Sequence, residues 1–196
     1  MMKAFFLSLF AAFTLSASAQ DKPEGLFINS KAPDFSGKDQ NGNPVSLKDL
    51  KKKGPVVLLF YRGNWCPYCN KQLKNLQDSL QLLTDKKASV VAITQEASGG
   101  IQETVKKTGA TFPILFDADS KWSKAYAVNF AVDERTARRY KAADIDLLTV
   151  NNQKEQAYLP VPAVYIINRD GTIVYRYFDA DYRNRLSVRE LLEQLR

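Results

Sequence analysis

The stretch PVVLLFYRGNWCPYCN, residues 55–70, decides the fold of this chain. Its first seven residues (55–61) form a continuous apolar run rich in β-branched side chains, which is typical of a strand buried on both faces. After it, apolar residues recur in steps of three and four and so share one face of a helix. They are Cys66, Cys69, Leu73, Leu76, Leu80 and Leu83. We therefore predict a buried strand that leads into an amphipathic helix, with both cysteines of the chain at the junction.

Strand and helix patterns alternate along the rest of the chain. Further strands are predicted at 89–94, 112–116, 163–167 and 172–177, and further helices at 101–107, 119–128 and from Ser187 onward. A turn at 41–44 lies between two short extended pieces near 33–35 and 45–47, and a turn at 169–171 closes a hairpin. We interpret residues 133–158 as a charged helical insertion followed by a loop. This order predicts an α/β sandwich in which helices flank a central mixed β-sheet.

The first twenty residues have the layout of a secretory signal peptide. Lys3 gives a positive start, residues 4–15 are an apolar run, and residues 17–19 (ASA) are small enough for cleavage. The alternative is an uncleaved membrane anchor, but this apolar run is short against the ~20 residues that a spanning helix needs. We therefore predict a signal peptide at 1–19 and one domain at 20–196. The mature protein is expected in the periplasm or secreted, with no stable membrane insertion.

Composition excludes several classes of function. The net charge is +7, but basic residues occur in short groups with acidic residues between most of them, as on a solvated surface rather than a nucleic-acid interface. The chain contains no histidine, which removes Cys–His nucleophile activation and histidine metal ligands. We predict no cofactor and no nucleic-acid partner.

Three uses of the cysteine pair compete. A disulfide between residues three apart closes a very small loop and contributes only about 2 kcal/mol, so a purely structural staple is a poor use of it. A zinc site needs four ligands, and neither a third cysteine nor a histidine exists to complete one.

Reactive thiols fit best. Cys66 lies at the predicted helix start with Pro67 in the first turn, where unpaired N–H groups and the helix dipole favour a thiolate. Cys69, one turn further, is better shielded, which predicts an exposed attacking thiol and a buried partner.

The motif also resembles a known superfamily. Trp65-Cys66-Pro67-Tyr68-Cys69 after an apolar strand is similar to the thioredoxin active site, and Cys-Pro-Tyr-Cys is its glutaredoxin version. In that fold a cis proline faces the disulfide, and Val161-Pro162 before the strand at 163–167 matches its context. The resemblance implies that Trp65, Pro67, Tyr68, Val161 and Pro162 face the substrate. For Trp65 simple packing remains an alternative, and for Tyr68 an exposed turn.

Other segments resemble the alkyl hydroperoxide reductase and thiol-specific antioxidant (peroxiredoxin-like) branch of the superfamily. They are 32–35 (APDF), 112–119, 168–171 (NRDG) and the tail 178–183, together with FYRG before WCPYC. Aligned on the peroxiredoxin pattern, Cys69 takes the peroxidatic place, Cys66 replaces a threonine and Arg62 replaces a proline. Arg62 is a candidate for charge support near the thiols, with a solvated loop arginine as the alternative. The acids that handle protons in thioredoxins and periplasmic redoxins are replaced by Phe60 and Gln72, which leaves Glu96 as the candidate for proton handling.

The resemblance implies a thioredoxin-like fold and three possible functions. The first is a secreted thiol–disulfide oxidoreductase in which Cys66 attacks and Cys69 resolves, with protein thiols or disulfides and an external dithiol reductant as partners. The second is a peroxiredoxin-like antioxidant enzyme that reduces hydroperoxides through a cysteine sulfenic acid. The third is a non-catalytic interaction module with a structural disulfide.

Overall fold

A computed structural model describes residues 23–195 of the chain. The predicted signal peptide at 1–19 lies outside these residues, so it stays a prediction. Within the described part, none of the helices has the length and apolar character needed to cross a bilayer.

Seventeen helices and strands are found between residues 23 and 195. In chain order they are β1 (Ser36–Lys38), β2 (Pro44–Ser46), α1 (Leu47–Lys53), β3 (Val56–Phe60), α2 (Pro67–Asp78), α3 (Leu80–Asp85), β4 (Ser89–Thr94), α4 (Ser98–Thr108), β5 (Ile114–Phe116), α5 (Lys121–Ala125), β6 (Asn129–Ala131), α6 (Glu134–Ala142), α7 (Leu147–Val150), β7 (Tyr158–Pro160), β8 (Ala163–Ile167), β9 (Ile173–Phe178) and α8 (Val188–Gln194). The predicted strands at 89–94 and 163–167 are confirmed with their bounds.

The central sheet has five strands in the order β5-β4-β3-β8-β9. β3 pairs in parallel with β4 and antiparallel with β8, so the sheet is mixed as predicted. All five residues of β3 are buried, which confirms the expectation of a strand covered on both faces. Because β3 is the middle strand, the loop that follows it opens at the centre of the sheet edge.

Successive residues of β3 face two different apolar cores, as the alternation of a strand requires. Val57 and Leu59 belong to the cluster that also contains both cysteines and the buried side of α2 and α8. Val56, Leu58 and Phe60 belong to the opposite cluster, beside α1 and α5. The cysteine pair is therefore part of a hydrophobic core and is anchored by it.

The helix after the motif is broken, and the prediction of one continuous helix was wrong at Ser79. The Ser79 backbone leaves the helical region (φ −109°, ψ 12°), α2 ends at Asp78, and α3 starts one residue later. Serine favours helix ends because its side chain and backbone compete for local hydrogen bonds. Leu83 remains in the core, as the spacing predicts, while its neighbour Leu82 has 52% of its surface exposed.

Residues 133–158 form a small helical layer rather than a helix and a bare loop. α6 and α7 pack around their own apolar cluster, and the segment is closed at its base by β6 paired antiparallel with β7. The sequence missed both strands because each has three residues and its partner is distant in sequence. The helix predicted at 119–128 is shorter in the structure, where α5 ends at Ala125. The chain then turns at Ala127, where φ is 52°, and enters β6.

The placement of α3 against the core predicts a sharp contrast between two of its adjacent leucines. Leu83→Ala should lower the free energy of unfolding by about 2–5 kcal/mol, because it leaves a cavity in the core. The matched substitution Leu82→Ala should change it by less than about 0.5 kcal/mol. Urea denaturation followed by far-ultraviolet circular dichroism measures both. Equal losses in the two variants would contradict the placement of α3.

Candidate active site

The cysteine pair lies where the loop 61–66 meets α2, at the position the sequence predicts. Cys66 is the N-cap residue with extended backbone (φ −91°, ψ 108°), and Pro67 is the first helical residue. The Cys66 N–H donates to the Gly63 carbonyl over 3.1 Å, which closes the loop in front of the helix. Both cysteines are free thiols.

Cys66 is buried, and the expectation of an exposed attacking thiol was wrong. Only 1% of its surface is exposed, because the side chain turns inward to the apolar cluster beneath the start of α2. Cys69 is fully buried in the same cluster, as predicted. A substrate sulfur must therefore reach Cys66 at a nearly closed surface, with the exposed Pro67 and Tyr68 beside it.

The environment of Cys66 lowers its thiol pKa to about 6. The largest cause is a hydrogen bond from the Cys69 thiol to the Cys66 sulfur, which stabilises the thiolate. Burial opposes this effect, whereas the Cys69 backbone N–H and the charges of Arg62 and Arg185 add to it. The sulfur accepts no full capping hydrogen bond, so the helix start is a smaller contributor than the neighbouring thiol.

Cys69 has the opposite character. Burial raises its pKa well above the usual value, and the neighbouring Cys66 raises it further. Arg185 donates through Nη2 to the Cys69 sulfur over 3.5 Å, which only partly offsets this effect. The two sulfurs are thus a thiolate and a protonated thiol at neutral pH. This is the division that stepwise disulfide exchange needs.

Arg62 is buried at 4% exposure, so the alternative of a solvated loop arginine was wrong. Its guanidinium lies over three aromatic rings, at 4.1 Å from the ring centre of Tyr182, 4.8 Å from Trp65 and 5.5 Å from Tyr140. Such cation–π contacts are favourable and are stronger when desolvated. We call Trp65, Tyr140 and Tyr182 the aromatic cage. Two of its members come from the 133–158 segment and from the chain after β9.

The other predicted substrate-facing residues occupy different surroundings. Trp65 is half-buried and packs edge-on against Tyr140 at 5.1 Å, so it both packs and borders the site. Tyr68 is 40% exposed and contacts Tyr182 edge-on at 5.9 Å. Val161 and Pro162 are buried and line a cavity with Arg62.

The cis proline implied by the resemblance is absent from the described chain. Every peptide bond of residues 23–195 is trans, including Val161–Pro162. The Val161 N–H donates to the Val128 carbonyl over 2.8 Å, and the segment passes in extended form from β7 directly into β8.

Glu96 holds the loop before the cysteines. It is fully buried, and its two carboxylate oxygens accept from the Asn64 N–H at 3.0 and 2.9 Å, while Asn64 Nδ2 donates over 2.6 Å. Burial raises the pKa of Glu96. Its hydrogen bonds go to the loop rather than to either sulfur. Gly63 makes this possible, because at φ 154° a Cβ would come within 2.9 Å of the Glu96 carboxylate and closer to the Trp65 indole nitrogen.

Arg185 was missed by sequence reasoning. It follows β9 in an irregular segment, and its contact with Cys69 spans 116 residues. No local pattern marks an arginine at such a distance as part of the site. The tail at 178–183 was the nearest available signal, and it ends two residues short.

Known proteins resemble this chain over part or most of its length. A family model described as "AhpC/TSA family" matches residues 28–176. The thiol-disulfide oxidoreductase ResA of Bacillus cereus (strain ATCC 10987 / NRS 248) is 25% identical over 169 residues, which covers 86% of this chain and 79% of that protein. The chloroplastic peroxiredoxin Q of Sedum lineare is 37% identical over 99 residues, which covers 50% of this chain and 53% of that protein.

A solved structure extends the likeness to the fold. The peroxidoxin BcpB of Mycobacterium tuberculosis superposes with a TM-score of 0.65 over 86% of this chain and 95% of that one, at 20% identity. Identity this low concerns the fold alone. It confirms the thioredoxin-like α/β sandwich that the sequence predicts.

The hydrogen bond between the two sulfurs makes a testable prediction. Cys69→Ala removes the donor and should raise the pKa of Cys66 by about 1–2 units, since a hydrogen bond to a charged group contributes about 1.5–3 kcal/mol. Cys69→Ser keeps an O–H donor in the same place and should raise the pKa much less. In both variants Cys66 is the only thiol, so the rise of thiolate absorbance with pH reports the pKa of Cys66. Equal pKa values in the two variants would show that the neighbouring thiol is not the main cause.

Proposed function

The chain belongs to the AhpC/TSA family, and from this membership and the cysteine pair we propose that it is a thiol–disulfide oxidoreductase working outside the cytoplasm. The observation that carries the proposal is the placement of the pair: Cys66 is the N-cap residue of α2, and Cys69 lies one turn further in the same apolar cluster. In this setting the pKa of the Cys66 thiol is lowered to about 6, whereas burial raises the pKa of Cys69. A thiolate is the attacking species in exchange, and a neighbouring thiol resolves the mixed disulfide.

The exchange proceeds in two steps. The Cys66 thiolate attacks one sulfur of a substrate disulfide, a Cys66–substrate S–S bond forms, and the substrate's own S–S bond breaks to release a thiolate. Cys69 then loses its proton to the released thiolate or to water and attacks the Cys66 sulfur, so that the second substrate thiolate leaves. The pair has given two electrons to the substrate and becomes a disulfide. An external dithiol restores it by the same exchange in reverse.

The local charges favour both steps. Arg62 and Arg185 lower the pKa of Cys66, and Arg185 also lowers that of Cys69. Arg185 therefore helps Cys69 to ionise when it becomes the attacking group. The apolar cluster around the sulfurs excludes water from the mixed disulfide, which limits side reactions during the exchange.

A hydroperoxidase is the second candidate, favoured by the similarity to peroxiredoxin Q. In that reaction the Cys66 thiolate attacks the peroxide O–O bond, forms a sulfenic acid and releases an alkoxide or hydroxide that takes up a proton. The Cys69 thiol then condenses with the sulfenic acid, and water leaves. The ionised sulfur is Cys66, whereas the peroxiredoxin alignment puts the attacking sulfur at Cys69. This disagreement makes disulfide exchange the better supported function.

One comparison of substrates separates these functions. Tryptophan fluorescence of the reduced protein is followed in stopped flow against a protein disulfide and against hydrogen peroxide, in the wild type, Cys66→Ser and Cys69→Ser. We expect rapid exchange in the wild type, none in Cys66→Ser, and an accumulating mixed disulfide in Cys69→Ser. Oxidation of the wild type that is rapid with peroxide and slow with the protein disulfide would overturn the proposal in favour of a peroxidase. Its loss in Cys66→Ser would then identify Cys66 as the attacking sulfur, and its survival there would identify Cys69. No change of tryptophan fluorescence with either oxidant would indicate a non-catalytic module.

The proposed location rests on the signal peptide predicted at residues 1–19 and is tested separately. When the full chain is expressed in a bacterium, we expect the periplasmic fraction to contain protein whose mass corresponds to a start at Gln20. A control with Leu7→Arg and Leu9→Arg, which interrupts the apolar run, should stay unprocessed in the cytoplasm. An uncleaved wild-type chain in the cytoplasm or the membrane would contradict the location.

A further inference from the structure

A cavity of about 140 Å³ lies beside the cysteine loop. Three distant parts of the chain enclose it: Arg62 from the loop, Tyr140 from α6, and Tyr182 from the segment after β9. Apolar side chains, among them Val161 and Pro162, complete the walls. A cavity of roughly 150 Å³ accommodates a benzene-sized molecule. This one therefore has room for one small functional group and a short carbon chain.

Arg62 brings a positive charge into this cavity without an acidic partner. Within residues 23–195, no carboxylate forms an ion pair with the Arg62 guanidinium and no oxygen accepts a hydrogen bond from it. The aromatic cage contacts the guanidinium through ring faces, which cannot replace oxygen acceptors for its five N–H groups. Buried charges in proteins are normally paired. Because the Arg62 guanidinium lines the cavity and has no acidic partner there, it is suited to an acceptor that comes from a ligand.

The walls and the charge together define the ligand. A planar carboxylate matches the two parallel N–H donors of a guanidinium, and this bidentate pairing is the strongest that arginine forms. The apolar walls suit a short aliphatic chain next to that carboxylate. Arg62 also lies four residues before Cys66 in the same loop, and its guanidinium stacks at 4.8 Å on the ring of Trp65, the residue next to Cys66. A molecule held by its carboxylate in this cavity would thus lie against the loop that carries Cys66.

We propose that the Arg62 cavity is a subsite that anchors the carboxylate of a small aliphatic disulfide, a few bonds away from the sulfur that Cys66 attacks. The proposal rests on the proposed exchange function, and it adds a substrate class: disulfides with an acidic arm. The arm can belong to a low-molecular-weight disulfide or to a peptide whose half-cystine carries a free terminal carboxylate.

A charge-matched series of disulfides tests the subsite. Dithiodipropionate carries carboxylates, bis(hydroxyethyl) disulfide is neutral and cystamine is cationic. Each kcat/KM is divided by the rate of the same disulfide with free dithiothreitol, which corrects for leaving-group reactivity. In the wild type we expect the corrected value for dithiodipropionate to exceed that for the neutral disulfide by about tenfold, as one charge-assisted hydrogen-bonded pair would give. Cystamine should be the poorest of the three.

Variants separate the subsite from general reactivity. In Arg62→Gln, loss of the charge changes the reactivity of Cys66 toward all disulfides alike. The corrected kcat/KM for the acidic disulfide, divided by that for the neutral one, should nevertheless fall to about one. Arg62→Lys, which keeps charge without the planar fork, should retain part of the ratio. Ala180→Leu fills the exposed mouth of the cavity, leaves Arg62 in place and should also abolish the preference. Arg183→Gln, a surface arginine paired with Asp181, should leave it unchanged.

Two further measurements keep the outcomes distinct. A peptide disulfide with a free terminal carboxylate and its amidated form show whether peptides use the subsite. Binding of propionate, with propionamide as the neutral control, is followed through the Trp65 indole N–H in Cys66→Ser, where no exchange occurs. Propionate binding lost in Cys66→Ser/Arg62→Gln supports the subsite even if exchange itself fails. A corrected ratio near one, together with no propionate binding, would overturn it while leaving the exchange function intact.

Discussion

The pairing of the Cys66 and Cys69 thiols across one turn at the start of α2 is the interaction on which the site depends. Both sulfurs lie in an apolar cluster, where burial alone would keep both protonated and unreactive. The hydrogen bond reverses that tendency for Cys66, whose pKa falls to about 6, and strengthens it for Cys69. One core environment therefore produces two thiols with different roles. The contact requires a spacing of three residues at a helix start, where one side chain faces the other across a single turn.

The rest of the fold holds this contact in place. β3, buried on both faces, fixes the beginning of the loop, and the Glu96 carboxylate fixes its middle through Asn64. The aromatic cage then covers Arg62, with Tyr140 supplied by the helical layer at 133–158. Through Tyr140 this layer contacts Arg62 and lines the cavity beside the cysteine loop. It is therefore part of the surroundings of the redox centre.

Local patterns made the fold predictable to a large extent. The buried runs of β3, β4 and β8 mark strands without any knowledge of their partners, and Ser187 with Glu190 marks the start of α8 through a capping box that the structure contains. The position of the cysteine pair followed from the same patterns. What the sequence could not give depends on long-range contacts. The pairing of β6 with β7, the burial of Cys66 and the approach of Arg185 to Cys69 each join parts of the chain that no local signal connects.

Residue-specific titration of the two sulfurs tests the central claim most directly. In the reduced wild-type protein with carbon-13 at both cysteine Cβ positions, NMR chemical shifts are followed as a function of pH. We expect the Cys66 resonance to titrate near pH 6, while the Cys69 resonance shows no ionisation of its own until well above pH 9. Two resonances that titrate together near the ordinary thiol value, about 8.5, would contradict the asymmetry and with it the proposed chemistry.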